Sequence, residues 1–334
     1  DPLNAQNQMG PLARIDLAEK LELQLQTALE QGAQLLLGGK REQCNFQPTI
    51  IDHVHVKNIA FQSVGPTIMS GRVVDIDVNP DNPIEFYVAY ASGGLWYSNN
   101  NGMSFNPVMD SSPTQNIGEI AVDWKTGTIW VGTGEHNASR SSYAGIGILK
   151  SSDKGKTWKN MGLTDSHHIG KIEINPNNPN EIIVAVTGHL YSKNNERGIY
   201  KSTDGGNSWK QTLYIDDETG IIDISISPKN FNIQYAAAWK KDRKAWNFLG
   251  NGSTSGIYKS EDGGNSWKLI STAESGFPTG EGVGRIGLAA FDNQIVYAVL
   301  DNQFNRPKTE VKKSILPTMF SVPGDVFMQI SDKE

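Results

Sequence analysis

A short motif that occurs four times restricts the folds open to this chain more than any other feature of its sequence. The motif reads Ser-x-Asp/Asn-x-Gly-x-Ser/Thr-aromatic, and two copies lie in the nearly identical strings GIYKSTDGGNSWK and GIYKSEDGGNSWK. Successive motif serines are 53, 51 and 58 residues apart, which indicates an array of one repeated unit. The principal motif residues are Ser98, Asn100, Gly102 and Phe105, then Ser151, Asp153, Gly155 and Trp158, then Ser202, Asp204, Gly206 and Trp209, and finally Ser260, Asp262, Gly264 and Trp267.

Each repeat carries the signals for four β-strands. The motif lies between two short β-like runs, and its Asp, Ser and Gly are turn-forming residues, which predicts a hairpin. We expect the motif tryptophan to close this hairpin against its own sheet. Two further strand candidates joined by an Asn-Pro turn precede the hairpin, as in KIEINPNNPNEIIVAVTGHLY. The sequence therefore predicts a mainly β fold, a β-propeller of four-stranded blades.

The repeats resemble the BNR or Asp-box repeat of sialidase-like and sortilin-type β-propellers. The wider phrases SGRVVDIDVNPDNP, VGTGEHNASR and ERGIYKSTDGGNSW are similar to large bacterial BNR-repeat proteins described as sortilin-like or glycosyl-hydrolase-like. This resemblance covers about residues 61–334, with blades at 61–305 and a polar tail or linker at 306–334. It implies four blades and part of a fifth, so we expect an incomplete ring that corresponds to the N-terminal portion of longer proteins.

Residues 1–60 carry a different pattern. Helical periodicity predicts a helix at about residues 14–31, and AQLLL predicts a short strand at about 33–37. The phrases NQMGPLAR, QGAQLLLGGKR and FQPTIIDHV resemble part of the aldehyde dehydrogenase catalytic domain. The resemblance implies an inactive remnant of an NAD(P)-dependent enzyme, because it brings no dinucleotide-binding turn and Cys44 does not match the family nucleophile. We interpret the junction near NIAFQSVGP as a chimera of two genes, with a genuine but decayed fusion as the alternative.

Propeller topology predicts that the polar connections lie on one face. The connections before the first strand and after the second strand of a blade share a face, opposite the motif hairpins. Loops held by a rigid scaffold commonly bind ligands. The residues at these connections that we expect to form a ligand site are Arg72, Glu135, Asn137, Arg140, His167, His168, His189, Trp239, Trp246 and Arg285.

The histidines and tryptophans of this set also have structural interpretations. His167, His168 and His189 belong to one blade and could bind a metal ion, or could hydrogen-bond to backbone carbonyls instead. Trp239 and Trp246 could stack on a sugar ring or cover the top of the blade. The motif residues themselves are expected to be structural, because their turns face away from the channel.

Two classes of function compete. We expect a non-catalytic propeller that binds a protein or glycan on the channel face. The alternative is a glycoside hydrolase, sialidase-like or of another type, in which Glu135 is the candidate general acid or base. Glu135 could instead form an ion pair with Arg72 or Arg140. A sialidase would also need a Phe-Arg-Ile-Pro-like phrase, for which GRIG is the nearest match.

The composition excludes several classes of binding partner and site. The net charge of −6 and the absence of a basic cluster argue against nucleic acid. No apolar run approaches the ~18 residues of a membrane span. The single cysteine excludes an internal disulfide and a multi-cysteine zinc site, and we expect no cofactor. The resemblance implies an exported parent protein, although no signal peptide precedes the repeats.

Overall fold

The computed structural model describes residues 14–52 and 71–304. The expected boundary near residue 60 and the expected tail at 306–334 lie outside these residues. No helix within the described ranges is long and apolar enough to cross a membrane.

Residues 14–52 form one helix and two small antiparallel ladders, the short α/β fragment that the sequence predicts. Helix α1 (Ile15–Glu30) is followed by Gly32, whose φ of 99° suits a residue without a Cβ atom. Arg41 forms an ion pair with Glu22 of α1 at 2.7 Å, which ties a hairpin to the helix. The strands are β1 (Gln34–Leu37) paired with β4 (Ile50–Asp52), and β2 (Arg41–Glu42) paired with β3 (Asn45–Phe46).

Residues 71–304 form four four-stranded antiparallel sheets and two two-stranded ones. The four-stranded sheets and the last two-stranded sheet are named blades 1 to 5 in chain order, so the predicted propeller blades are confirmed. Blade 1 contains β5 (Val73–Val78), β6 (Phe86–Tyr90), β7 (Gly94–Ser98) and β8 (Asn106–Pro107). Blade 2 contains β9 (Ile117–Asp123), β10 (Thr128–Thr133), β11 (Ile148–Ser151) and β12 (Lys159–Asn160). Blade 3 contains β13 (Ile169–Ile174), β14 (Ile182–Val186), β15 (Gly198–Ser202) and β16 (Lys210–Leu213). Blade 4 contains β17 (Thr219–Ser227), β18 (Asn230–Lys240), β21 (Gly256–Ser260) and β22 (Lys268–Leu269), with the hairpin β19 (Asp242–Arg243) and β20 (Phe248–Leu249) inserted after β18. Blade 5 contains β23 (Val283–Ala290) and β24 (Val296–Asn302).

The repeated motif forms the connection between the third and fourth strands of blades 1 to 4. In blade 3, Ser202 Oγ donates to Asp204 Oδ1 at 2.8 Å and accepts the Gly206 amide at 2.8 Å. Asp204 also accepts the Ser208 amide at 2.9 Å and the Ser208 hydroxyl at 2.6 Å. These hydrogen bonds lower the pKa of Asp204 to about 2, so the carboxylate stays charged and holds the turn closed.

The expectation that each motif tryptophan packs against its own sheet is incomplete, because these side chains also join neighbouring blades. Trp209 of blade 3 donates its indole N–H to the carbonyl of Met161 at 2.7 Å, just after the last strand of blade 2. Trp158 of blade 2 donates to the carbonyl of Val108 at 3.1 Å, just after blade 1. The motif thus fixes both a hairpin and the register between adjacent sheets.

The hydrophobic core consists of layers between adjacent blades. Ile183 and Ala185 of blade 3, for example, pack on Ile221 and Ala236 of blade 4, and all four side chains are fully buried. The first strands lie side by side around a central channel, β5 against β9, β9 against β13, β13 against β17 and β17 against β23. The first and second strands of each blade are antiparallel, so the second strand ends where the first strand begins. The connections before the first strands and after the second strands therefore lie at the same end of the channel.

Candidate functional site

The upper face is defined here as the face that carries these connections, and its centre is the blade 2 loop, residues 134–147. This loop joins β10 to β11 and contains Glu135, His136, Asn137, Ala138 and Arg140. Side chains of blades 1, 3, 4 and 5 all contact it, so it lies over the centre of the blade array. The sequence motif GTGEHNASR therefore marks the middle of the site.

Glu135 is buried and fully engaged within the protein. Its side chain is 1% exposed and forms a two-pronged ion pair with Arg72 of blade 1, with 2.7 Å between Arg72 Nε and Glu135 Oε1. Asn137 Nδ2 donates to Oε1 at 3.1 Å, and Ser142 Oγ donates to Oε2 at 2.8 Å. Burial alone would raise the pKa of Glu135, but these hydrogen bonds outweigh burial and lower the pKa. The carboxylate is therefore a fixed anion at neutral pH.

The rest of the blade 2 loop is held from the opposite side of the channel. Arg243 of blade 4 donates twice to the Ala138 carbonyl, at 2.9 and 2.7 Å. Arg285 of blade 5 donates to Asn137 Oδ1 at 2.8 Å. Ala138 is 2% exposed and packs in the apolar layer that also contains Trp239. The loop consequently covers the upper end of the channel.

Two histidines, one in the blade 2 loop and one just before blade 3, are buried. His136 and His168 are 8% and 2% exposed, and Nδ1 of each is buried without a hydrogen-bond partner among the described residues. Burial, aided by nearby cations, lowers the pKa of His136 to about 4 and that of His168 to about 3. Both rings are therefore neutral at pH 7. His168, expected as a ligand or metal residue, is instead a core residue.

A different trio replaces the expected cluster of three histidines. A 3₁₀ turn at Thr164–Ser166 precedes His167, whose φ of 56° turns the backbone at the start of blade 3. Asp165, His167 and His189 bring their ligand atoms within 4.8 Å of one another. The rings of His167 and His189 stack with 3.6 Å between centroids. Burial lowers the pKa of His167, and the charge of His189 lowers it further.

Two buried basic side chains fix the connection that carries His189. Arg197, which is 1% exposed, donates to the carbonyls of Thr187, His189 and Ser192 at 2.6, 2.9 and 3.0 Å. Lys241 is 4% exposed and donates to the His189 carbonyl at 3.1 Å. The sequence did not predict the role of Arg197. A signal was available, because Arg197 precedes GIYKS in one repeat where Ser255 precedes the same string in the next.

The aromatic residues of the upper face divide into one core side chain and several exposed ones. Trp239 is 4% exposed, and its indole N–H donates to Gly250 at 2.7 Å, so its ring is not available to stack on a sugar. Trp246 is 82% exposed in the turn between β19 and β20. Tyr191 and Tyr143 are 49% and 59% exposed, and the Tyr191 hydroxyl donates to the Arg140 carbonyl at 3.2 Å. Tyr143 and Tyr191 were not among the predicted site residues.

The channel below the loop is acidic. A cavity of about 220 Å³ is lined by side chains of the first strands that include Asp75, Asp77, Lys171 and Glu173. Lys171 forms an ion pair with the buried Glu119. Burial raises the pKa of Glu173 to about 7 in spite of the nearby charge of Lys171. The carboxylates of this channel are therefore separated from the upper face by the blade 2 loop.

Comparison with curated proteins identifies relatives of the N-terminal region. Lactaldehyde dehydrogenase of Methanocaldococcus jannaschii is 35% identical over 82 residues, which cover 23% of this chain and 18% of that enzyme. Succinate semialdehyde dehydrogenase [NAD(P)+] Sad of Escherichia coli is 25% identical over 166 residues, 49% of this chain and 32% of that enzyme. The chain spans at most about a third of the length of these relatives. An aldehyde dehydrogenase family model matches residues 1–67.

Two solved structures are similar to this chain at low sequence identity. The GH74 enzyme of Niastella koreensis has a TM-score of 0.48 and 20% identity, over 70% of this chain and 35% of that chain. YCF48 from Cyanidioschyzon merolae has a TM-score of 0.41 and 15% identity, over 76% of this chain and 74% of that chain.

The family of the repeats is shown by a longer match. The Sortilin-Vps10 family model, described as sortilin, neurotensin receptor 3, matches residues 147–322, which is more than half of the chain. These residues begin in the blade 2 loop and include the motif turns of blades 2, 3 and 4. The chain belongs to the Sortilin-Vps10 family.

Proposed function

We propose that the upper face is a non-catalytic surface that binds a protein or glycan ligand. The observation that carries this proposal is the state of Glu135, the residue best placed to act as a general acid or base. Both of its oxygens accept hydrogen bonds within the protein, and Arg72 neutralises its charge. A general acid needs a raised pKa and access to the substrate, whereas Glu135 has a lowered pKa and a 1% exposed side chain.

The shape of the face supports binding of an extended ligand. Because the blade 2 loop covers the channel, a ligand would lie across the face instead of entering a deep pocket. Trp246, Tyr191 and Tyr143 are exposed on this face, and each combines a large apolar ring with a polar group. Such residues contribute much of the binding free energy at recognition surfaces. The exposed Arg140 adds positive charge beside them.

The proposal is tested by measuring binding of the full chain to an oligosaccharide array and to a phage-displayed peptide library. Trp246→Ala is expected to weaken capture of the selected ligand by about 10-fold or more, because an exposed aromatic anchor is removed. Its effect on unfolding should stay within about 0.5 kcal/mol, since the ring is 82% exposed.

A matched control is available on the opposite face. Phe291 is 62% exposed in the connection between the first and second strands of blade 5. Phe291→Ala removes a similar aromatic group from the lower face and should leave binding unchanged. Equal losses from Trp246→Ala and Phe291→Ala, or capture of no ligand from either library, would contradict the proposal.

A further inference from the structure

Three potential metal ligands meet at the edge of the upper face, at the start of blade 3. Asp165 Oδ1 lies 3.2 Å from His189 Nε2 and 3.8 Å from His167 Nε2. Two ligand atoms bound to one tetrahedral ion at about 2.0–2.1 Å are about 3.3–3.4 Å apart. The observed separations therefore bracket the distance that a shared ion requires.

The second ring nitrogen of His189 is fixed in the way expected for a metal ligand. His189 Nδ1 lies 2.7 Å from Ser192 Oγ, and Nε2 lies 3.0 Å from the Asp165 backbone carbonyl oxygen and 3.2 Å from Asp165 Oδ1. An ion bound at Nε2 would replace this hydrogen bond to the carbonyl. Ligating histidines commonly use a hydrogen bond at the other nitrogen to fix the orientation and the tautomer. The His189 amide also donates to Asn194 Oδ1 at 3.0 Å, and Asn194 Nδ2 donates to the Asp165 carbonyl at 3.1 Å.

A neighbouring carboxylate provides a second observation that indicates a cation. Glu196 Oε2 is buried and has no hydrogen-bond partner among the described residues. The Asp165 backbone amide hydrogen-bonds to the Glu196 carboxylate, which places this carboxylate beside the cluster. A buried acceptor without a partner is costly, and a cation bound to Asp165 would reduce that cost by electrostatic attraction.

From this geometry we propose that Asp165, His167 and His189 bind a divalent transition-metal ion such as Zn²⁺. Two imidazoles and one carboxylate are ligands that suit Zn²⁺ and other first-row ions. Binding one ion requires the stacked rings of His167 and His189 to turn so that both nitrogens point at it, and the His167 ring, which is 35% exposed, has room to do so. Asp165 is 63% exposed, so a fourth coordination position faces solvent and is open to water or to an acidic group of a ligand.

The experiment uses the full chain carrying Cys44→Ser, which removes the only thiol of the sequence. Titration with Co²⁺ alone, followed by visible absorption, should give one equivalent of bound ion with the bands of a low-coordinate site. Zn²⁺ alone should displace Co²⁺ and raise the unfolding temperature, because it binds the folded state. His167→Gln and His189→Gln should each weaken binding by about 100-fold or more, beyond the effect of losing a supporting hydrogen bond.

Asp217→Asn is the control, because Asp217 is a 44% exposed carboxylate in the next connection and is not part of the trio. This variant should bind Co²⁺ like the parent. If a histidine variant fails to fold, Asp165→Ala tests the same site at a mostly exposed position. The proposal is overturned if no saturable Co²⁺ spectrum appears, or if stoichiometric binding survives in the folded His167→Gln, His189→Gln or Asp165→Ala variants.

Discussion

Two adjacent glycines in the blade 3 motif allow the packing between blades to be tested separately from the turn itself. Gly205 and Gly206 have φ values of 71° and 86°, so alanine at either position incurs a backbone cost of about 1–2 kcal/mol. A Cβ atom on Gly206 would lie 2.6 Å from Cη2 of Trp130, a blade 2 side chain that is 1% exposed. A Cβ atom on Gly205 would meet only the ends of two flexible side chains, Asn180 Oδ1 at 3.1 Å and Lys150 Nζ at 3.7 Å.

Gly206→Ala should therefore be less stable than Gly205→Ala by about 1–3 kcal/mol, the usual cost of overpacking a rigid core. Urea unfolding followed by tryptophan fluorescence would show this difference as a midpoint lower by about 0.5–1 M. The slopes must agree between the variants for the midpoints to be compared, because repeat arrays can unfold in parts.

The next blade offers an independent repetition. A Cβ atom on Gly264 would lie 2.8 Å from Oε1 of the buried Gln234 in its own blade and 2.9 Å from Ile183 Cδ1 of blade 3, whereas one on Gly263 would lie 3.1 Å from Asn232 Oδ1. The same order of stability is expected for Gly264→Ala and Gly263→Ala. Equal destabilisation within each pair would refute the conclusion that the motif turns pack against the preceding blade.

Three further predictions concern individual side chains. Arg72→Ala should lower the free energy of unfolding at pH 7 by about 1–2 kcal/mol, because Glu135 remains buried without its partner. Since Glu135 has a lowered pKa in the folded state, this loss should become smaller as the pH falls below about 4, which denaturation at a series of pH values would show. Glu173→Gln should be more stable than the parent above pH 7 and equal to it below about pH 4.5. The pKa of Glu173 is about 7 in the folded parent and about 4.5 when the chain is unfolded, so the parent loses stability as the pH rises between these values, whereas glutamine does not ionise. Trp209→Phe should cost about 1–2 kcal/mol in thermal unfolding, since the Met161 carbonyl loses the indole N–H, and an unchanged unfolding temperature would contradict that contact.

The period of the motif and its turn chemistry were sufficient to predict the blades, because Ser202, Asp204 and Gly206 bond within a few residues of one another. The partner of Trp209 could not be predicted in the same way. Its contact with Met161 is 48 residues away in sequence and depends on how neighbouring sheets stack. Local patterns report turns and strands well, but they do not report which sheet a protruding side chain reaches.

The candidate site was predictable as a surface but not residue by residue. The connections on the upper face follow from strand order, which is why Glu135 and His189 were identified. His167 and His168 show where this prediction fails. The positive φ at His167 leaves its ring beside Asp165, whereas the side chain of His168 is buried in the core. A strand pattern specifies alternation within a strand and does not specify the conformation of the residues that precede it.

The central claim, binding without catalysis at the upper face, is tested most directly by following the fate of a captured ligand. The full chain and its Glu135→Gln variant would be incubated with the ligand selected from the arrays and, in parallel, with chromogenic aryl glycosides, and the products analysed by mass spectrometry. We predict that the ligand is recovered intact from both proteins and that neither releases the chromophore. Cleavage by the parent protein that Glu135→Gln abolishes would contradict the account and assign a catalytic role to Glu135.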